Sequence, residues 1–354
     1  MNRRGFLGAT VGVASAALAG CFGGVETEPL SIPPVLEDRP GGVYYPTHLE
    51  GMASVGSGDA GPFRVGVSYS YPHRFWTVSG TSVSRTSIRN ADDVHLMATV
   101  WNPETGTVLP EAGVSVEITA DGDLVTQEVL YPMLSQVMGV HYGANVDLER
   151  GDGEYEVTVS IGGLSIRRTG TFEGRFGDPA ETTVPFQYSE TKTRDITMER
   201  TPDRAGTAAA AEPMSMGDMP IGLAPSREAL SGRFLGANGV DDAVLATIAL
   251  DDADRFGVGA GETYLAVSTR TPYNGLTIPA MGLVATVTRD GDRIADGPLT
   301  RTLDPGLGYH YGAVVPSIEA GDRVAIAVDT PAQVARHEGY ETAFLDLGSV
   351  EYVA

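Results

Sequence analysis

The sequence predicts an all-β chain of two tandem β-sandwich domains, and three observations carry that prediction. Segments such as FRVGVSYSY, VHLMATVW, GVSVEIT, YEVTVSI and SIRRTGTF alternate apolar with polar residues, the two-residue period of a strand with one buried face. Turn signals such as Asp121-Gly122-Asp123 separate these segments, and no long amphipathic helical pattern comes after the N-terminal stretch. Finally, the chain repeats itself. NPETGTVLPEAGVSVEITADGD from Asn102 aligns with TPYNGLTIPAMGLVATVTRDGD from Thr271. Pro103 meets Pro272, Gly106 meets Gly275, Pro110 meets Pro279, and Asp121-Gly122-Asp123 meets Asp290-Gly291-Asp292. The same offset lays His141-Tyr142-Gly143-Ala144 on His310-Tyr311-Gly312-Ala313, and with one gap Pro72-His73-Arg74-Phe75 resembles Ala253-Asp254-Arg255-Phe256.

Residues 1–21, beginning MNRRGFLGATVGVASAALAG, combine Arg3-Arg4 with a short Ala/Gly-rich apolar run that ends in Leu18-Ala19-Gly20-Cys21. This resembles a twin-arginine lipoprotein signal, too short and too poor in large apolar residues for a spanning helix. Cleavage before Cys21 and lipid attachment to its thiol are expected, with an uncleaved N-terminal anchor as the alternative; both put the body on the extracytoplasmic face of the membrane. Cys21 is the only cysteine, so the chain forms no internal disulfide and no cysteine-based metal site. Residues 22–40, rich in Pro, Gly and acidic side chains, read as a tether. A first sandwich is expected over 41–200, a linker over 201–224 that opens TPDRAGTAAAAEPMSMGDMP, and a second sandwich over 225–354.

The net charge is -22 and Lys192 is the only lysine. Such acidity excludes nucleic-acid binding, which needs a basic surface to displace counterions. It resembles the surfaces of halophilic archaeal proteins, whose self-repulsion is screened by concentrated salt. No phosphate-binding glycine loop, nucleophile elbow or zinc-hydrolase helix motif is present, so the chain is not expected to be an enzyme.

Chemistry concentrates in the histidines and methionines. Of six histidines, His48, His73, His95 and His141 fall in the first repeat, and His310 and His337 in the second. Strand alternation puts His95 and Met97 on one face and Val94 and Leu96 on the other. Met133, Met138 and His141 come from PMLSQVMGVHYGANVDL, which has a loop-like look before a strand, and a sandwich could bring them opposite His95. Imidazole suits copper, iron and zinc, whereas thioether selects copper, so a His/Met set points to a copper or iron ion. His73 lies among aromatics, as a group that supports the ligands or as a further ligand, while His48 reads as a surface loop residue. Met214, Met216 and Met219 resemble a mobile copper-capturing tract, with a flexible linker carrying incidental methionines as the plainer reading.

Pro132-Met133 followed by His141-Tyr142-Gly143-Ala144-Asn145 resembles the signature of the periplasmic high-affinity iron-uptake proteins, as do the strand at His95-Leu96-Met97-Ala98 and Gly51-Met52. That family implies an immunoglobulin-like sandwich binding Fe or Cu, with His95, Met133 and His141 as ligands. This chain departs from it in carrying Met97 where the family has a carboxylate. Its spacing from Pro132-Met133 to His141 is longer by one residue, which leaves Met133 and Met138 competing for the sulfur role. The family's last histidine has no match at Arg167-Arg168 in the first copy but does at Arg336-His337-Glu338 in the second. In the second copy Tyr264, Thr302 and Leu307 stand where the first has His95, Met133 and Met138, so its own site is expected to be degenerate. Because the family is typically dimeric, the two copies are expected to form a pseudo-dimer within one chain, or a homodimer, with His337 completing the first site. The resemblance further implies an iron permease as partner. The competing expectation is a cell-surface β-sandwich module without metal, whose histidines merely pack.

Overall fold

The computed structural model describes residues 32–354, so the signal over 1–21, the lipid-attachment residue Cys21 and the start of the tether lie outside the described residues. The rest is almost entirely β. The first copy contains β1 (Ala53–Ala60), β2 (Phe63–Ser70), β3 (Val94–Trp101), β4 (Val114–Ala120), β5 (Asp123–Ser135), β6 (Gly139–Val146), β7 (Gly153–Ile161) and β8 (Ala180–Tyr188). The second contains β9 (Arg233–Val240), β10 (Ala243–Leu250), β11 (Glu262–Arg270), β12 (Gly282–Arg289), β13 (Asp292–Asp304), β14 (Gly308–Pro316), β15 (Arg323–Thr330) and β16 (Ser349–Val353).

The hydrogen-bonded order is β8-β7-β4-β5-β6-β3-β2-β1 in the first copy and β16-β15-β12-β13-β14-β11-β10-β9 in the second, the same antiparallel topology twice. Long β5 pairs through its first half with β4 and through its second with β6, passing from one layer of the sandwich to the other. The expected two-sandwich all-β fold is therefore observed. Both β4–β5 and β12–β13 turn through an Asp-Gly pair with positive φ at both residues, 53° and 82° at Asp121-Gly122, and 51° and 92° at Asp290-Gly291. That backbone matches the twist of a two-residue hairpin and explains why Asp-Gly recurs.

Between the layers of the first copy pack Val94, Leu96, Ala98 and Val100 of β3, Tyr142 and Val146 of β6, and Val116, Val157 and Phe186 of the opposing strands. Burying each large apolar side chain stabilises by about 1.5–3 kcal/mol before chain entropy is charged against it. The repeated tyrosine has a shared structural duty. Tyr142 Oη donates to Leu109 O at 2.9 Å and accepts from Ala112 N at 2.8 Å; Tyr311 Oη donates to Ile278 O at 3.2 Å and accepts from Met281 N at 2.9 Å.

The two copies exchange short strands. Ala335–Arg336 lies parallel to Met133-Leu134 of β5, and Arg167–Arg168 lies parallel to Thr302-Leu303 of β13. His337 N then donates to Leu134 O and Thr169 N to Leu303 O, which makes Thr169 the structural counterpart of His337.

Two segments differ from expectation. Over 201–224 the chain is docked rather than free: Met214 N donates to Val137 O, Ala211 N to Gln136 Oε1, Thr277 N to Gly222 O, and Asn274 Nδ2 to Ala211 O. The described end of the tether also packs down, with Ile32 buried and Arg74 donating to Pro33 O. Composition signals a break in the strand pattern but carries no information about a complementary groove elsewhere. Among the described residues no helix is long and apolar enough to cross a membrane.

Candidate metal centre

Alternation on β3 sends Val94 and Leu96 into the sandwich core and turns His95, Met97, Thr99 and Trp101 to the opposite face. On β6 the same parity sends Tyr142, Ala144 and Val146 inward and leaves His141, Gly143 and Asn145 on that outer face. Stretch 132–148 is not loop-like. Its two halves belong to β5 and β6, and Met133 is the cross-strand partner of His141, while His95 is the partner of Asn145. Cross-strand partners on one face stand close enough to act together.

His73 arrives from the segment after β2 and His337 from the segment that the second copy lends. One ligand atom from each of His73, His95 and His337 lies within 4.8 Å of the other two. The His73 and His95 rings are 3.9 Å apart at their centroids, and the His337 ring lies 4.8 Å from His73, 5.7 Å from His95 and 5.1 Å from His141. Met133 Sδ sits 3.4 Å from His337 Nε2. Two metal–nitrogen bonds of about 2 Å span at most about 4 Å, so a bound ion would draw these rings slightly inward.

Each ring is held from its far side. His95 Nδ1 donates to Asn145 Oδ1 at 2.8 Å, and His141 Nδ1 donates to Gly139 O at 3.0 Å. His73 Nδ1 lies 2.7 Å from Glu50 Oε2, an ion-pair distance whose angle falls short of a good hydrogen bond. Protons held on Nδ1 leave Nε2 as the free lone pair, and Nε2 of His73, His95 and His141 is buried in each case with no protein partner. Leaving three buried acceptors unpaired costs about 1–3 kcal/mol each, which a packing role does not explain. Gly143 makes the approach possible: a Cβ there would stand 2.7 Å from His95 Nε2 and 3.1 Å from Met133 Sδ.

Electrostatics favour neutral, ligand-ready imidazoles. Burial and then the neighbouring His73 push His95 well below the usual histidine range; burial takes His141 down to about 4; burial and the other three rings lower His337. Burial alone would raise the Glu50 carboxyl, but His73 and His48 outweigh it and hold it well below the usual carboxylate range. Glu50 Oε1 also accepts from His48 Nε2 at 2.8 Å, so His48 belongs to the support of this centre and is not the surface loop residue expected. Behind it Glu338 takes Arg74 Nη2 at 3.1 Å and Thr47 N at 2.9 Å.

His73, His95, His141, His337 and Met133 are thus brought together, and Met138 is not. It packs with Met97 and Met216 and borders a small cavity that His73 and His337 also line. Sequence reasoning missed Glu50 and Asn145. Asn145 shares the parity of His141 on β6, a signal available in the sequence, whereas the reach of Glu50 to His73 depends on tertiary folding.

A family model described as a domain of unknown function (DUF7350) matches residues 73–183 and 228–353, more than half of the chain, and spans the four imidazoles and the Met133 thioether of the centre. No curated protein matches. Among solved structures, FetP of uropathogenic E. coli strain F11, as isolated after recombinant expression in the periplasm of E. coli BL21(DE3), is 20% identical, covers 39% of this chain and 96% of its own, and has a TM-score of 0.30. A copper-bound variant of FetP from the same strain is 22% identical over 39% of this chain and 97% of its own, also at a TM-score of 0.30.

Proposed function

The chain belongs to the DUF7350 family, and we propose that it is an extracytoplasmic lipoprotein that binds a transition-metal ion reversibly through His73, His95, His141, His337 and Met133. The observation that carries this reading is the gathering of four imidazoles beside the Met133 thioether, three of them buried with unpartnered Nε2 atoms. Four imidazoles accept copper, iron or zinc, and the thioether tilts the set toward copper. We read the work of the centre as capture and release of the ion. Metal transport for iron uptake or copper handling fits that chemistry, with lipid on Cys21 holding the protein at the membrane and a permease receiving the ion. Binding by His337 would make the second copy a partner of the first within one chain.

The test is metal analysis of the folded chain in high salt with copper and iron offered separately. Close to one equivalent bound at the centre, lost in His95→Ala and His141→Ala, supports the reading. Absence of stoichiometric metal, together with variants that melt like the parent with and without added ion, would leave a surface module whose histidines only pack.

A further inference from the structure

Six of the ten methionines sit outside the histidine centre in one contiguous cluster: Met52, Met97, Met138, Met214, Met216 and Met219. Three come from the first sandwich and three from the 201–224 segment that packs over it. The cluster lies on the outer face of β2 and β3, along the stripe His95, Met97, Thr99, Trp101 and its neighbours Ser70, Ser68 and Gly66. Elsewhere the core is filled mostly by Val, Leu, Ile and aromatic residues, so this concentration of thioethers is local.

Two cavities meet at this stripe. An open groove of about 360 Å³ is lined by Met52, Met216, Met219 and Trp101. A smaller one of about 80 Å³ is lined by Met52, Met97 and Met138 together with His73 and His337. Met52 borders both, so the groove and the cavity beside the histidines share a thioether in their walls. Ser68 Oγ and Thr99 Oγ1 are buried on the same face without partners, and Ser54, Ser57, Ser215 and Asp218 join the methionines in lining the groove. A Cβ on Gly66 would collide with Met219 Sδ, so glycine lets that sulfur down onto the strand beside Trp101.

We propose that these methionines form a second, thioether site that takes up Cu(I) at the surface and passes it inward to the histidine centre. Neutral sulfur donors suit a soft monovalent cation and discriminate against Fe(II), Zn(II) and Cu(II), which prefer nitrogen and oxygen. The destination of the ion rests on the histidine reading; the thioether site itself does not. No change of oxidation state is involved, since the ion enters and leaves as Cu(I).

The experiment uses the full chain in high salt under anaerobic conditions, with Cu(I) competed by bicinchoninate and Cu(II) titrated separately. The triple variant Met214→Leu, Met216→Leu, Met219→Leu conserves volume and should melt like the parent. It is expected to lose one Cu(I) equivalent or to bind Cu(I) about 10-fold or more weakly, with Cu(II) binding unchanged. Should the triple variant fail to fold, methyl NMR of the parent with Ag(I), a redox-inert stand-in for Cu(I), decides instead: shifts at Met97, Met138 and Met216 support the site, and shifts confined to Met133 overturn it. A folded triple variant with parental Cu(I) stoichiometry and affinity also overturns it. If His141→Ala leaves Cu(II) binding intact while the triple variant loses Cu(I), the histidine centre fails and the thioether site stands.

Discussion

The two copies share a topology, a tyrosine-anchored turn and a His-Tyr-Gly-Ala tetrapeptide, yet among the described residues only the first has imidazoles with unpaired Nε2 atoms. In the first, His95 and His141 keep free Nε2 atoms, and that of His95 stands over Gly143. In the second, Tyr264 replaces His95, and its hydroxyl occupies the space above Gly312 and pairs with His310 Nε2 at 3.0 Å. Phe256 stacks on Tyr264 at 3.9 Å and seals the site. Thr302 replaces Met133, and Thr169, the counterpart of His337, donates to Asp304 Oδ2 at 2.9 Å. One phenol thus satisfies the single remaining imidazole, whose Nδ1 is already held by Gly308 O at 3.1 Å. The difference teaches that the shared tetrapeptide is a scaffold, whereas the residues that reach into it from β3, β5 and the lent strand decide whether lone pairs are left over.

Copying the second copy into the first gives the largest expected effect. His95→Tyr should bring a phenol over Gly143 to pair with His141 Nε2, and metal affinity should fall by about 100-fold or more while the melting temperature holds or rises. Isothermal titration with Cu(II) reads the first effect and calorimetry the second. Undiminished binding in that variant would break the comparison.

His337→Ala tests the lent strand. If the second copy supplies a ligand, affinity should drop about 10- to 100-fold, as far as in His141→Ala, whereas Thr169→Ala should cost about 1 kcal/mol of stability and leave metal untouched. Equal, small effects from both substitutions would reduce the strand exchange to a structural device.

Gly143→Ala and Gly312→Ala should each destabilise by about 1–3 kcal/mol through overpacking, one against His95 and Met133, the other against Tyr264. Only the first should also lower metal affinity. Thermal melts paired with metal titration separate the two outcomes.

Period-2 alternation makes much of this legible in the sequence, because it fixes which side chains share a face. His95 and Met97 fall on one side of β3 as expected, and the repeat locates the depleted second site. Choosing between Met133 and Met138 is not possible from spacing, since it depends on the Ser135–Gly139 turn. That turn sets Met133 opposite His141 and carries Met138 round to Met97. The docking of 201–224 is equally illegible, because Met214, Met216 and Met219 read as part of a mobile segment until the face of β3 that receives them is known. Nor can Glu50 be assigned, for its partner His73 is fixed by folding rather than by sequence distance.

The smallest effect concerns acid. His141 and His310 are both pushed down to about 4, in each case by burial first, although one Nε2 is free and the other paired. An unfolded histidine titrates near 6.5, so between about 6.5 and 4 the unfolded chain binds protons that the folded chain refuses. Stability contributed by each neutral ring is therefore complete above about 6.5 and lost as pH falls through that window, by about 1.4 kcal/mol per pH unit at most for each ring. Between pH 6 and 5 the metal-free protein should lose about 1 kcal/mol from each of His141 and His310, and His141→Gln and His310→Gln should flatten the melting profile equally. Equal flattening would place the cause in burial, common to both copies. A change from His141→Gln alone would mean that the phenol of Tyr264 already neutralises the cost in the second copy, and that the free lone pair is the acid-sensitive feature of the first.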